Sequence, residues 1–464
     1  MHSESVEHAT AHVSTNVTLF FTGILVALIL CLALEEKLHA KKSLIVGLFA
    51  GVSLLVASAF GIIPFGEVLL PGGHAITMPV YIPAVDWGVI AIILGSSIFV
   101  DVTSKSGLFT WIAVKLTKAS KGDPLMLLWY YGIMTVVFSA VLNNVTAMII
   151  VGSLTGVSLK KLNSEEKLLG FLLVEGLLTN IGGLLTLISS VPNIIVGNTA
   201  GISFMTFFLK ASPFVVIATV VTIFMGAKLF KIHKLAGEDE KSAALDLVSG
   251  FDENDGIESS GFFKFGVFML FAFIITIATT SILPFVKDLG MGYVALFFAA
   301  IMLVRYKSEV DQFYRGVDWD LIGFFVALFV VINVMEHAMV LELIGKGIGM
   351  IIGTEENVVG TGALLVSSSV FSSVTDNIPL AAMLAKILGA SGTPGDSPLW
   401  WSVIFGANLG GNLTPIGSAS TLVAVTIIHK YNIPMSFAGF VKKAAPYALI
   451  HISLATVYVL MFLR

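Results

Sequence analysis

Four short polar stretches break otherwise apolar sequence, and their residue types define a chemistry. The first is Asn143-Asn144-Val145-Thr146, between apolar flanks 132–142 and 147–151. The second runs through Thr179, Asn180, Gly182, Gly183, Thr186, Ser189, Ser190, Pro192 and Asn193. The third is Ser372-Ser373, then Thr375-Asp376-Asn377-Ile378-Pro379. The fourth holds Asn408, Gly410, Gly411, Asn412, Thr414, Pro415, Gly417, Ser418, Ser420 and Thr421. Gly and Pro let a helix unwind inside hydrocarbon, where the freed backbone groups must find partners within the protein. Carbonyl ends and Asn or Thr oxygens can hold Na⁺. Half-helix N-termini offer N–H groups and positive dipole ends to an anion. One such cluster would read as glue between helices. Four of them, if they converge, would enclose one central site.

Asp376 is the one acidic residue in these stretches. A carboxylate at membrane depth is costly and functional by default. It either ligates Na⁺, together with Asn144 and Asn377, or carries a proton, or serves the hairpin as a hydrogen-bond acceptor. Glu175, four residues before Thr179 in an apolar run, either relays protons or caps a hydrogen-bond network. No Arg falls in the four stretches, so no bidentate clamp for a carboxylate is offered. The set suits a small ion, a neutral oxyacid or an anion held by backbone N–H groups.

The elements that must position these residues follow from composition. Of 464 residues 56% are apolar and 12% charged, about half the charge of a soluble domain. With 26 Lys+Arg against 30 Asp+Glu there is no basic stripe for nucleic acid. The single cysteine, Cys31, excludes a disulfide framework within one chain. Apolar runs at 17–34, 43–63, 211–230, 262–282 and 443–463 read as clean membrane helices. Shorter or interrupted ones lie at 87–103, 168–198, 290–305, 318–336 and 399–428. The expected fold is an all-α polytopic membrane protein with about ten crossings and two re-entrant hairpins, 125–159 and 357–390. With both termini outside, all but five of the Lys+Arg (Lys210, Lys287, Lys346, Lys386, Arg464) fall on the cytoplasmic side. The first 16 residues lack Lys and Arg, so they are not a secretory leader. His2, His8 and His12 read as part of a solvated tail, and residues 104–122 as a basic surface helix.

A repeat organises the chain. Val85-Asp86-Trp87 recurs as Val317-Asp318-Trp319, 232 positions on. Asn143-Asn144 matches Asp376-Asn377, Asn180-Ile181-Gly182-Gly183 matches Asn408-Leu409-Gly410-Gly411, and Pro213 matches Pro446. An odd number of crossings separates the units, so the second is inverted, which is the architecture of secondary transporters. The expected divisions are two scaffold helices in 1–84, a first repeat in 85–232, and a flexible cytoplasmic linker in 233–261. Connecting helices in 262–316 and a second repeat in 317–464 complete them. There is no GxxxxGK[ST] loop, no HExxH and no nucleophile–base pair at the breaks, so an enzyme is not expected. No cofactor is expected beyond Na⁺ or H⁺ as coupling ion. The energy source is an ion gradient or a separate ATPase partner.

At these stretches the chain resembles the ion transporter superfamily: arsenite permeases, citrate-transporter-like permeases, the melanosomal P protein, divalent anion/sodium symporters and certain sodium/proton antiporters. The resemblance rests on NIGGLLTLISSVPNIIVG (180–197), DNIP (376–379) and GANLGGNLTPIGSAST (406–421). It implies a mobile transport domain of hairpins and broken helices on a homodimeric scaffold, with elevator-type movement. It places coupling ions at Asn143, Asn144, Thr146, Asp376 and Asn377. P-protein-like members often show Asp-Asn at the first tip, where this chain has Asn143-Asn144. The resulting expectation is an ion-coupled carrier of a small inorganic or organic anion or oxyanion; sodium/proton exchange is the alternative. Asn143, Asn144, Thr146, Thr375, Asp376 and Asn377 form the tips. Asn180, Gly182, Thr186, Ser190, Asn193, Asn408, Gly410, Asn412, Thr414 and Ser418 form the walls.

Overall fold

The computed structural model describes residues 13–63, 67–69, 75–77, 79, 81–353 and 357–463. His2, His8, His12 and Arg464 lie outside the described residues. The helices of the first half are α1 Thr15–Ala33, α2 Glu35–Leu38, α3 Lys42–Ala59, α4 Tyr81–Ala84, α5 Trp87–Lys105, α6 Leu108–Ser120, α7 Pro124–Val141, α8 Asn144–Lys161, α9 Leu168–Gly182, α10 Val191–Ala200 and α11 Phe204–Leu229. Then come α12 Glu238–Ser249, α13 Ser260–Thr279, α14 Val286–Arg305, α15 Val310–Gly316, α16 Trp319–His337, α17 Val340–Ile352, α18 Val358–Val374, α19 Asn377–Ala390, α20 Pro398–Gly410, α21 Ala419–Lys430 and α22 Phe437–Phe462. A ribbon of two three-residue strands, β1 Glu67–Leu69 and β2 Ala75–Thr77, is the small exception to an all-helical fold.

Among the described residues, α1, α3, α5, α7, α11, α13, α14, α16 and α22 are each long and apolar enough to cross a membrane. Eight of these match expected crossings; the ninth, α7, is the first arm of hairpin 125–159. Its 18 residues span about 27 Å at 1.5 Å each, close to the hydrocarbon thickness. The two remaining expected crossings are broken in two. Run 168–198 is α9 and α10 around residues 183–190, and run 399–428 is α20 and α21 around residues 411–418.

The chain folds as two compact units. The first joins Met1–Asp86 to Trp319–Ile348. Within it α3 packs along α16, and the start of α3 is tied to Asp320. The Ser43 backbone N–H donates to Asp320 Oδ1 at 3.2 Å and the Ser43 hydroxyl donates to the same oxygen. The second unit comprises Trp87–Asp318 and Gly349–Arg464 and contains all four polar stretches. Here α5 packs along α14, with Phe99 and Phe273 of α13 stacked at 4.5 Å between ring centres.

The surface helix expected over 104–122 is α6. A counterpart was not legible in the sequence: α17 begins and ends 232 positions after α6. Its one ion pair, Lys346 with Glu342 at 2.9 Å, gives little charge pattern to read.

The linker also differs from a flexible tether. It contains α12, and its end is pinned to α6. Glu253 pairs with Lys115 at 2.7 Å and with Lys118, while Val248 and Phe251 are buried. Asp123, which caps α7 through Met126 N–H, also accepts from Leu235 N–H at 2.9 Å. Two apolar anchors in a polar segment are too sparse a pattern to read from composition. The hydrogen bonds from Lys115 and Lys118 hold the Glu253 carboxyl down to about 2, from an ordinary 4.5. A depressed acid stabilises docking above its unfolded value, and that stabilisation is lost as pH falls toward about 2. Hydrogen–deuterium exchange over 250–259, taken relative to the intrinsic rate at each pH, should therefore rise as pH drops below 4.5. Glu253→Gln should raise it already at neutral pH; equal protection in variant and wild type would refute the clip.

Candidate functional site

Each hairpin turns at a capped helix start. Leu142 is extended, and Asn143 caps α8 by accepting from the Thr146 N–H at 2.8 Å. Thr375 is extended, and Asp376 caps α19 by accepting from the Ile378 N–H at 3.0 Å. Asn, Asp and Ser are the preferred caps because their short oxygens reach the unpaired N–H groups of the first turn. Asp376 thus fulfils the acceptor role considered for it. Thr375 donates to Phe371 O of its own arm, and Thr146 contributes its backbone N–H.

The breaks are supported by the hairpins in a matched way. Ser139 Oγ lies 2.6 Å from Thr179 O, and Ser372 Oγ lies 2.5 Å from Ala407 O. Thr186 Oγ1 donates to Ala140 O at 2.5 Å, as Thr414 Oγ1 donates to Ser373 O at 2.5 Å. The freed carbonyls are taken up by side chains. Asn193 Nδ2 donates to Gly183 O and Thr186 O. At the same places in the second break, Thr421 Oγ1 lies 3.4 Å from Gly411 O and Thr414 O. Ser139, one turn before the first tip, belongs to the site and was missed, although its counterpart Ser372 stands in the third polar stretch. Their 233-residue separation, the offset of the tips themselves, was the available signal.

The two breaks hold each other. Asn180 Nδ2 donates to Ser418 Oγ at 2.9 Å and to Asn412 Oδ1 at 2.8 Å. Reciprocally, Ser190 Oγ donates to Asn408 Oδ1 at 2.7 Å, and Asn408 Nδ2 donates to Asn193 Oδ1 at 2.9 Å. All of these side chains are buried. The second segments are exchanged: α21 packs on α8 and α9, and α10 packs on α19 and α20. Four half-helix N-termini (α8, α10, α19 and α21) therefore start at this region; Asn143, Asp376 and Ser418 cap theirs by side chain, while Ser190, at the start of α10, makes no cap bond and donates to Asn408 instead.

Gly182 and Gly410 serve close approach. A Cβ on Gly182 would lie 2.7 Å from Val136 O, and one on Gly410 would run into Ser369 O. These glycines let each break press against its hairpin.

The halves also differ where each tip meets its break. Asn144 Nδ2 donates to Asn180 Oδ1 at 3.3 Å, and its own oxygen accepts from Ser139. With Ser420 also donating to Asn180 Oδ1, the Asn180 amide uses two donors and two acceptor positions. Asn377 is the repeat counterpart of Asn144. Among the described residues no hydrogen bond joins it to Asn408, whose oxygen accepts only from Ser190 and keeps a lone pair. Glu175, in α9, has no exposed surface and accepts from Thr155 Oγ1 at 2.6 Å.

Comparisons with known proteins agree with this architecture. A family model described as "Citrate transporter" matches residues 29–406. An uncharacterized transporter of Mycobacterium bovis is 30% identical over 383 residues, covering 81% of this chain and 86% of that protein. The human P protein is 24% identical over 458 residues, covering 81% of this chain and 53% of that protein. The solved structure of the Alcanivorax borkumensis YdaH transporter covers 91% of this chain and 98% of its own, with a TM-score of 0.60 at 11% identity, a likeness of fold.

Proposed function

This chain belongs to the citrate transporter family, and from that premise we propose that it is an ion-coupled carrier of a small carboxylate or oxyanion, with citrate the first candidate. It is a multi-pass integral membrane transporter, not an enzyme. The reading is of a homodimer with both termini outside, working by elevator-type movement of the hairpins and broken helices and driven by an ion gradient, or with a separate ATPase partner if the substrate is arsenite.

The observation that carries the proposal is the unequal state of two matched tips. The first tip is latched to its break through Asn144 and Asn180; the second is not latched through Asn377 and Asn408. Two arrangements of one repeated motif, present together, are what alternation between outward and inward access requires. At the second tip, Asp376, Asn377 and the Asn408 lone pair offer oxygens for Na⁺, and Asn144 offers one at the first. The half-helix N-termini and uncommitted backbone N–H groups suit the anion, since no Arg or Lys lies in the four stretches.

The test is uptake by proteoliposomes against a panel of citrate, arsenite, sulfate and silicate, under an imposed Na⁺ or pH gradient. Saturable, gradient-driven uptake of one of them supports the proposal. Na⁺-driven proton movement with no anion present would replace it by sodium/proton exchange. Asp376→Asn should keep the α19 cap, because Asn caps as well as Asp, and should lose Na⁺-gradient drive while anion exchange persists. Unchanged Na⁺-driven uptake by that variant would remove Asp376 from the ion site.

A further inference from the structure

Glu175 is buried to zero exposure, and only one of its oxygens is engaged: Oε1 accepts from Thr155, while Oε2 has no hydrogen-bond partner. The elements packed on α9 are α7, α8, α11, α20, α21 and the 3₁₀ turn Glu165–Lys167. Their titratable groups are Tyr130 and Tyr131, then Lys160 and Lys161 at the end of α8, Lys210 and Lys228 on α11, and His429 and Lys430 at the end of α21. The turn adds Glu165, Glu166 and Lys167, and α20 adds none. No ion pair joins any of these to Glu175 among the described residues, and its one hydrogen-bond partner is Thr155. A bare carboxylate with a single hydroxyl donor is a poor occupant of such a place. A carboxylic acid fits it, with its proton on the unengaged oxygen.

A line of hydroxyls leads away from that oxygen's neighbour. Thr155 and Ser158 stand one turn apart on α8. Ser158 Oγ lies 2.7 Å from Tyr131 Oη, which lies 2.9 Å from Thr117 Oγ1 on α6. All are buried. Thr117 sits between Lys115 and Lys118, the pair that holds the linker. Thr155 and Ser158, about 4.5 Å apart in helix rise, share no hydrogen bond among the described residues, so the relay requires one bridging water between their hydroxyls. In the other direction Thr179, one turn on, leads to the break at Asn180.

We propose that Glu175 is the group that carries a coupling proton, exchanging it with the α6 side through Thr155, Ser158, Tyr131 and Thr117. In that exchange the carboxyl group turns its O–H toward Thr155 Oγ1, the carboxylic O–H bond breaks as the Thr155 oxygen takes the proton, and the original Thr155 hydroxyl proton leaves to the bridging water and on along the chain. The carboxylate left behind keeps the Thr155 hydrogen bond until it is reprotonated. The assignment rests on the ion-coupled reading above.

The experiment compares wild type, Glu175→Gln and Tyr131→Phe in the full-length protein. Gln keeps the shape and the acceptor for Thr155. By infrared spectroscopy at neutral pH, wild type should show a carboxylic-acid C=O band that Glu175→Gln lacks and Glu175→Asp shifts. Absence of that band in wild type overturns the proposal whatever transport shows. In proteoliposomes with a pH dye, Glu175→Gln should lose pH-gradient accumulation of citrate while retaining citrate exchange at equal pH. Tyr131→Phe should slow proton movement without abolishing it. Retained pH-driven accumulation in Glu175→Gln overturns the proposal and leaves the carrier reading standing. Wild type that moves no anion of the panel and no protons overturns the carrier reading instead, and the infrared band still decides the proton site.

Discussion

Gly410→Ala is expected to destabilise the protein sharply, because its new methyl would collide with the Ser369 carbonyl oxygen and press on Ser372 Cβ. The neighbour is backbone of α18 and cannot swing aside as a flexible side chain would. Overpacking of this kind costs about 1–3 kcal/mol. Gly182→Ala should behave alike, since Val136 O and Ser139 Cβ wait within 2.9 Å. The controls lie in the first unit, where Gly47 and Gly51 of α3 have nothing within 4 Å of an added Cβ. There alanine should be neutral or slightly stabilising, since Gly in a helix interior is worse than Ala by roughly 0.5–1 kcal/mol. Thermal denaturation of the detergent-solubilised protein, followed by loss of the monodisperse peak, separates the two classes. Equal melting of Gly410→Ala and Gly47→Ala would refute the close approach.

Asn408→Ala should abolish transport and also weaken the fold. Its amide donates to Asn193 Oδ1 and to Ile404 O, and its oxygen accepts from Ser190. Truncation orphans Ser190 Oγ and Asn193 Oδ1 at once, in a place without exposure. Each orphaned buried group costs about 1–3 kcal/mol. Asn180→Ala should be as severe, because Asn180 binds Ser418, Ser420, Asn412 and Asn144 together. A double-mutant cycle on stability gives the sharper check. Asn180→Ala with Ser418→Ala should show coupling, as should Asn408→Ala with Ser190→Ala, whereas Asn180→Ala with Ser190→Ala should be closer to additive. Full additivity for the first two pairs would mean that the breaks do not hold each other.

Much of this fold is visible in the sequence because a membrane makes the pattern strict. An Asn-Asn or Asp-Asn between apolar arms has few uses other than a turn. A run such as 399–428 is long enough to cross yet carries Gly, Pro and Asn in its middle, so it must break. The structure places the breaks at 183–190 and 411–418, within those runs. What was not legible is which side chains meet. Asn180 and Ser418 are 238 residues apart, and nothing in their local sequence says that they bond to each other rather than within their own repeats. The exchange of α10 and α21 between hairpins is a tertiary fact of the same kind. Helix α12 was hidden by its polarity, and α17 because it carries one lysine, Lys346, where α6 carries two. The glycines among the site residues were legible as breaks, but their work is packing: they admit the hairpin backbone, and Asn, Ser and Thr do the bonding.

The tie between Ser43 and Asp320 also has a consequence in time. The partners are 277 residues apart, and a ribosome adds about 5–20 residues per second. Helix α3 therefore enters the membrane roughly 14–55 s before the helix that covers it exists. Through that interval its α16-facing side meets lipid or an insertion factor, and the Ser43 hydroxyl has no Asp320 to bond. The first unit thus stays open from the making of its first helices until α16 follows, and it can close before the second unit, which still awaits residues 349–464.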